Sequence, residues 1–216
     1  MKFDIRRLDE MDSDLVMEEG ALEDYQEAVI GDFFSSPEGK AHLAAFPDAG
    51  FWVGQLIYLG YVHLGATLPR MTVGDIEEIV EELFPRKVSL LSPDDADEAI
   101  PELTAFWRYL EREHDLPEAG EILEYLRRIE PEFKGIINDP ARFGMAKSFF
   151  MMGQEAGFDM TTQEGSNRFI GFYNAALENM AAGAPGKPRK TRSATKRKPA
   201  GKKKKKKKKK KKTRRR

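Results

Sequence analysis

Apolar residues recur at helical spacing through most of residues 8–180, interrupted by proline, glycine and capping residues. Residues 8–19 and 22–35 carry that repeat, with Leu22, Tyr25, Ala28, Val29 and Phe33 on one face and Glu23, Asp24 and Glu27 opposite. Ser36-Pro37-Glu38 restarts a short helix through Leu43. Between Asp48 and Arg70 no charged residue occurs, which predicts a central helix stopped by Pro69. Gly50 and Gly54 would let a neighbouring helix come close to it. The stretch is near membrane-span length, but four glycines, Gln55, His63 and Thr67 hold its hydropathy below that of a span.

Thr72 and Asp75 form a capping-box pattern, with Asp in place of Glu, opening a helix through Val73, Ile76, Ile79, Val80 and Leu83. Pro85 is expected to end it, and 86–91 is expected to be extended, the one candidate strand. Ser92-Pro93-Asp94-Asp95 starts another helix, with proline in the first position and acids in the first turn. Pro101, Pro117, Pro131 and Pro140 each precede a helical pattern, as suits a residue tolerated in a first turn. Thr161 with Glu164 caps a last helix to about Met180, and 181–186 reads as a linker. The expected fold is all-α: a compact multi-helix domain over 1–180, followed by a disordered lysine-rich tail over 187–216.

Charge changes this picture most. Residues 187–216 hold 21 Lys or Arg and no Asp or Glu, leaving 15 basic and 36 acidic residues in the rest of the chain. The formal net charge of zero is therefore a strongly acidic body balanced by a basic tail. Lys187, Arg189, Lys190, Arg192, Lys196, Arg197 and Lys198 are interspersed with Pro, Ser, Thr and Ala. Lys202, Lys203, Lys204, Lys205, Lys206, Lys207, Lys208, Lys209, Lys210, Lys211 and Lys212 run without a break, and Arg214, Arg215 and Arg216 close the chain. With no large apolar residue the tail cannot bury enough surface to fold alone. It is suited to phosphate contact without base readout, on DNA or RNA alike. Its composition resembles the basic tails of linker histones and bacterial nucleoid proteins. Anionic lipid would offer the same charge, and a tail that only solubilises, or folds back on the acidic body, is the bland alternative.

Candidate chemistry in the body is sparse. There is no cysteine, so no disulfide or thiol chemistry, and the charged N-terminal residues predict a cytoplasmic protein. His42, His63 and His114 lie on separate segments, with His63 expected in the core and His114 near a helix C-terminus. Glu77, Glu78, Glu81 and Glu82 form an outer helix face, and Asp94, Asp95, Asp97 and Glu98 crowd the next helix start. No Asp-x-Asp-x-Asp-Gly loop or Glu-x-x-His pair accompanies them, so they read as solvated faces and as places for the tail to dock. No catalytic, cofactor or metal residue is assigned, and the chain reads as non-enzymatic.

The segment Phe143 to Met160 packs four methionines and four phenylalanines into 18 residues. A helix apolar on most of its circumference is expected in the core. Methionine also builds adaptable binding surfaces, so an exposed version of this helix would be a protein-interaction element. Together with 82–89 (Glu-Leu-Phe-Pro-Arg-Lys-Val-Ser) and 105–110 (Ala-Phe-Trp-Arg-Tyr-Leu), it resembles an uncharacterised bacterial family of helical proteins over residues 50–180. That resemblance implies a bacterial cytoplasmic protein and transfers no functional residue.

Overall fold

A computed structural model describes residues 4–11 and 20–183. Among these residues every regular element is helical and there is no strand, so the all-α expectation holds. The helix expected over 8–19 begins as a single 3-10 turn, Arg7–Glu10, and 12–19 lie outside the described residues, as does the whole tail 187–216. Residues up to Ile170 form one compact unit.

Helix α1 (Ala21–Ser35) buries Leu22, Tyr25, Val29 and Phe33, while Ala28 is exposed, so the inner stripe is narrower than the periodicity suggested. Glu23 and Asp24 in its first turn complement the helix dipole. Ser36 ends α1 and opens α2 (Pro37–Ala45), its hydroxyl accepting from the Gly39 amide at 3.1 Å. Glycine is required at 39 because a Cβ there would overlap the Phe33 carbonyl across this tight reversal.

The uncharged segment is indeed central. In α3 (Phe51–Leu59), Trp52, Val53, Leu56, Ile57 and Leu59 are all buried. Gly50 and Gly54 face α1: the Gln26 side-chain amide donates to the Gly54 carbonyl at 2.6 Å. The helix does not run to Pro69. It loosens into a π-helical turn, Gly60–Leu64, and stops at Gly65, whose φ of 64° lets the Gly65 and Ala66 amides reach back to the Tyr61 and Gly60 carbonyls. Among the described residues no helix is long and apolar enough to cross a membrane.

The Thr72–Asp75 capping box forms as expected and opens α4 (Val73–Glu78). A second π-helical turn, Ile79–Leu83, leads into α5 (Phe84–Lys87), so Pro85 does not end the helix. Proline has no N–H for the Glu81 carbonyl one turn back, and the Arg142 guanidinium donates to that carbonyl instead, at 2.9 Å. The expected strand is absent: Arg86 and Lys87 end α5, Val88 is extended, and 88–91 belong to no strand among the described residues.

Ser92 and Asp95 form their capping box on a short 3-10 turn, Pro93–Ala96, ahead of α6 (Ala99–His114). Asp115, at φ 51°, turns α6 into α7 (Ala119–Ile137), and the two pair as a helical hairpin. Pro131 was expected to start a helix but lies inside α7. The buried stripe Ile122, Tyr125, Leu126, Ile129, Phe133 and Ile137 passes straight through it. Burying Phe133 and Ile137 downstream, at roughly 1.5–3 kcal/mol each, offsets the roughly 3 kcal/mol that an interior proline costs. One continuous core extends from Ile5 to Ile137, with Trp52, Phe84 and Phe133 meeting edge to face within it.

The Met/Phe-rich segment departs most from expectation. Helix α8 (Met145–Glu155) is not central: only Lys147 and Gly153 are buried, and Met145 is 93% exposed. It is anchored by polar contacts. The Lys147 ammonium donates to the Ile137 carbonyl at the end of α7 (2.9 Å) and lies 4.1 Å above the Phe143 ring, and the Gly144 amide reaches the Arg86 carbonyl. Phe149 and Phe158 pack instead on Phe169 of α9 (Gln163–Gly183). The residue capping α9 is Thr162, whose hydroxyl accepts from the Gly165 amide, while Thr161 bonds to Asp159.

Candidate functional site

The residues assigned to nucleic-acid contact, Lys187 through Arg216, all lie outside the described residues. What the structure places is the acidic body that carries them. Many of its carboxylates already have partners. Arg112 grips Glu38 with two hydrogen bonds, at 2.7 and 3.0 Å, and this guanidinium holds the Glu38 carboxyl down to about 2. Lys134 bridges Asp94 and Asp97 at 2.7 and 2.9 Å.

The Glu77–Glu82 face is solvated but not unpaired. Glu77 meets Arg128 at 3.3 Å, Glu82 meets Arg142 at 3.7 Å, and Glu81 accepts from the Tyr125 hydroxyl. These partners lie 44 to 60 positions along the chain, so nothing in the local sequence announced them. Of the four glutamates, Glu78 alone has no partner among the described residues.

Glu102 is the buried acid that sequence reading missed. Fully enclosed on α6, its carboxylate accepts from the Gly50 and Val53 amides at 2.9 and 2.8 Å. It thereby caps α3, which has no capping side chain of its own. Burial pushes its carboxyl above the ordinary range, against the lowering effect of those backbone donors.

The histidines occupy three different settings. His63, expected in the core, is exposed at the end of the π-helical turn, because Gly65 terminates the helix before it can be enclosed. His114 does end α6, and its Nε2 lies 3.3 Å from the Tyr109 hydroxyl, which donates to Asp32 at 2.6 Å. His42 is buried and stacked on Phe46, and its Nε2 is enclosed with no hydrogen-bond partner among the described residues. It lines a cleft of about 580 Å³ with Glu38, Pro101, Thr104, Arg108 and Glu130. Among the described residues no group of three or more His, Asp or Glu side chains is placed to hold a metal ion.

Fold and charge together define a class: an acidic, all-helical domain followed by a lysine-rich segment. Comparison with known protein families, with curated proteins and with solved structures finds no match to this chain. The resemblance over residues 50–180 stays an expectation, and the functional reading rests on this chain's own residues.

Proposed function

We propose that the chain is a non-enzymatic, cytoplasmic nucleic-acid-associated protein. Its lysine-rich tail contacts the phosphate backbone of DNA or RNA without sequence preference, and the helical domain is a docking or oligomerisation module. The observation that carries this reading is the segregation of charge, with 21 basic and no acidic residues over 187–216. Each phosphate neutralised releases a condensed counterion, so affinity depends steeply on salt. Ten such contacts on duplex DNA give a slope of log K against log salt of about −9. The test is binding of the full chain, and of a chain ending at residue 183, to duplex DNA and structured RNA across a salt series. A steep slope that disappears on truncation is the expected result. Binding that survives truncation, or no binding by the full chain, overturns the reading.

A second reading is favoured by one observation, the exposure of Met145 (93%) and Met152 (41%) on α8. Exposed methionines on a helix pinned by polar contacts make an adaptable protein-interaction surface. On this reading the full chain self-associates in sedimentation equilibrium, and a Met145→Glu/Met152→Glu variant stays monomeric. A wild-type chain that is already monomeric removes this use of the helix.

A further inference from the structure

Three helices meet around the cleft of about 580 Å³ that His42 lines: α2 supplies His42, α6 supplies Thr104 and Arg108, and α7 supplies Glu130. Thr104 and Arg108 lie four positions apart, as do Pro101 and Ala105, so a single side of α6 faces the cleft. Pro37 and Ala41 of α2 complete its apolar walls. A concave, largely apolar hollow of a few hundred Å³ with a small number of polar groups is the usual make-up of a small-molecule site. A neighbouring hollow of about 460 Å³ runs on along α7 past Glu124 and Arg127 and shares Thr104, Arg108 and Glu130 with the first.

The polar groups of this cleft are left open. Glu38 is the exception, because Arg112 already holds it with two hydrogen bonds. Arg108 and Glu130 line the same cleft with opposite charges, yet no ion pair joins them. Neither side chain has a hydrogen bond or ion pair with any other described residue, and the Thr104 hydroxyl has none either. His42 is 7% exposed, and its enclosed Nε2 has no partner among the described residues, a deficit that native interiors seldom keep. Burial holds its imidazole below the ordinary range, so this wall adds polarity without adding charge.

We propose that the cleft binds a small zwitterion of the amino-acid and short-peptide class. Its carboxylate sits on Arg108, whose planar guanidinium suits a carboxylate, and its ammonium sits on Glu130. Its apolar side chain lies against Pro37, Ala41, Pro101 and Ala105. A ligand with only negative charge would be repelled by Glu130, and one with only positive charge by Arg108. A molecule carrying both charges satisfies the two together. This inference goes beyond the nucleic-acid reading and does not depend on the tail, since every group it uses belongs to the helical domain.

The experiment titrates leucine, leucyl-leucine and trialanine into the full chain by isothermal calorimetry. Saturable one-to-one binding with a Kd at or below about 1 mM is expected for at least one of them. Acetylating the amine of that ligand, or amidating its carboxylate, is expected to weaken binding about tenfold, as are Arg108→Gln and Glu130→Gln. Arg7→Gln, which removes an exposed cation elsewhere on the domain, leaves binding unchanged. The proposal is overturned if none of the three ligands binds, if a blocked ligand binds as tightly as the zwitterion, or if both cleft variants bind like wild type. None of these outcomes bears on the salt dependence of nucleic-acid binding, so the two readings stand or fall separately.

Discussion

Replacing Glu102 with alanine is expected to destabilise the domain by about 3 kcal/mol, because buried amide donors are left with no acceptor. The Val53 amide is buried and the Gly50 amide partly so at the start of this helix, where water is a poor substitute for the carboxylate. Glutamine keeps one acceptor oxygen in place and is expected to cost about 1 kcal/mol, close to the loss of a single hydrogen bond. Urea melts of the two variants check both values, and an alanine variant as stable as wild type would show that the cap is dispensable.

The pH dependence has a definite sign. Glu102 titrates higher in the folded than in the unfolded chain, since burial disfavours the charged form. Its contribution is therefore fully present below the ordinary glutamate range and is lost as pH rises through the raised folded value. Glu102→Gln removes that loss, so the glutamine variant should gain on wild type as pH is raised from acid toward neutral. A difference that stays constant, or runs the other way, contradicts the assignment. Glu38 contributes with the opposite sign: held down to about 2, it stabilises above the ordinary range and loses this as pH falls through that value.

Trp52→Ala should cost about 4 kcal/mol, the scale on which emptying a large aromatic site destabilises a core. The indole is 1% exposed, with ring centroids 5.3 Å from Phe84 and 5.9 Å from Phe133, both edge to face. These rings join α3, α5 and α7, so the cavity would open where three helices meet. The indole N–H, however, is enclosed with no acceptor among the described residues. Trp52→Phe discards that unsatisfied donor while keeping an aromatic ring, and is expected to cost only about 1 kcal/mol. Denaturant midpoints of the two variants test the split. Equal losses would mean that the indole nitrogen has a partner, or that indole volume alone decides.

How far each feature could be read ahead of the structure depended on the range of the interaction behind it. The Thr72–Asp75 and Ser92–Asp95 caps and the Ser36–Pro37 start were legible because each joins residues one to three positions apart. Pro131 and Pro85 were misplaced because a local rule about proline was outweighed elsewhere: by the buried stripe through α7, and by Arg142 supplying the donor that Pro85 lacks. Phe143–Met160 misled for a different reason. Apolar content predicts burial only when a neighbour is there to cover it, and in α8 the residue most firmly buried beside Gly153 is a lysine.

The sequence by itself determined the helical class, the local caps and the division of charge between body and tail. All three follow from composition or from contacts within a turn, which do not wait for the chain to pack. Only the tertiary structure decided that Glu102 caps a helix 49 to 52 positions away, and that Glu77, Glu81 and Glu82 are already engaged. It alone decided that His63 stands outside the core. Those outcomes rest on groups far apart along the chain, whose electrostatics and hydrogen bonding exist only once packing has brought them together and excluded water between them.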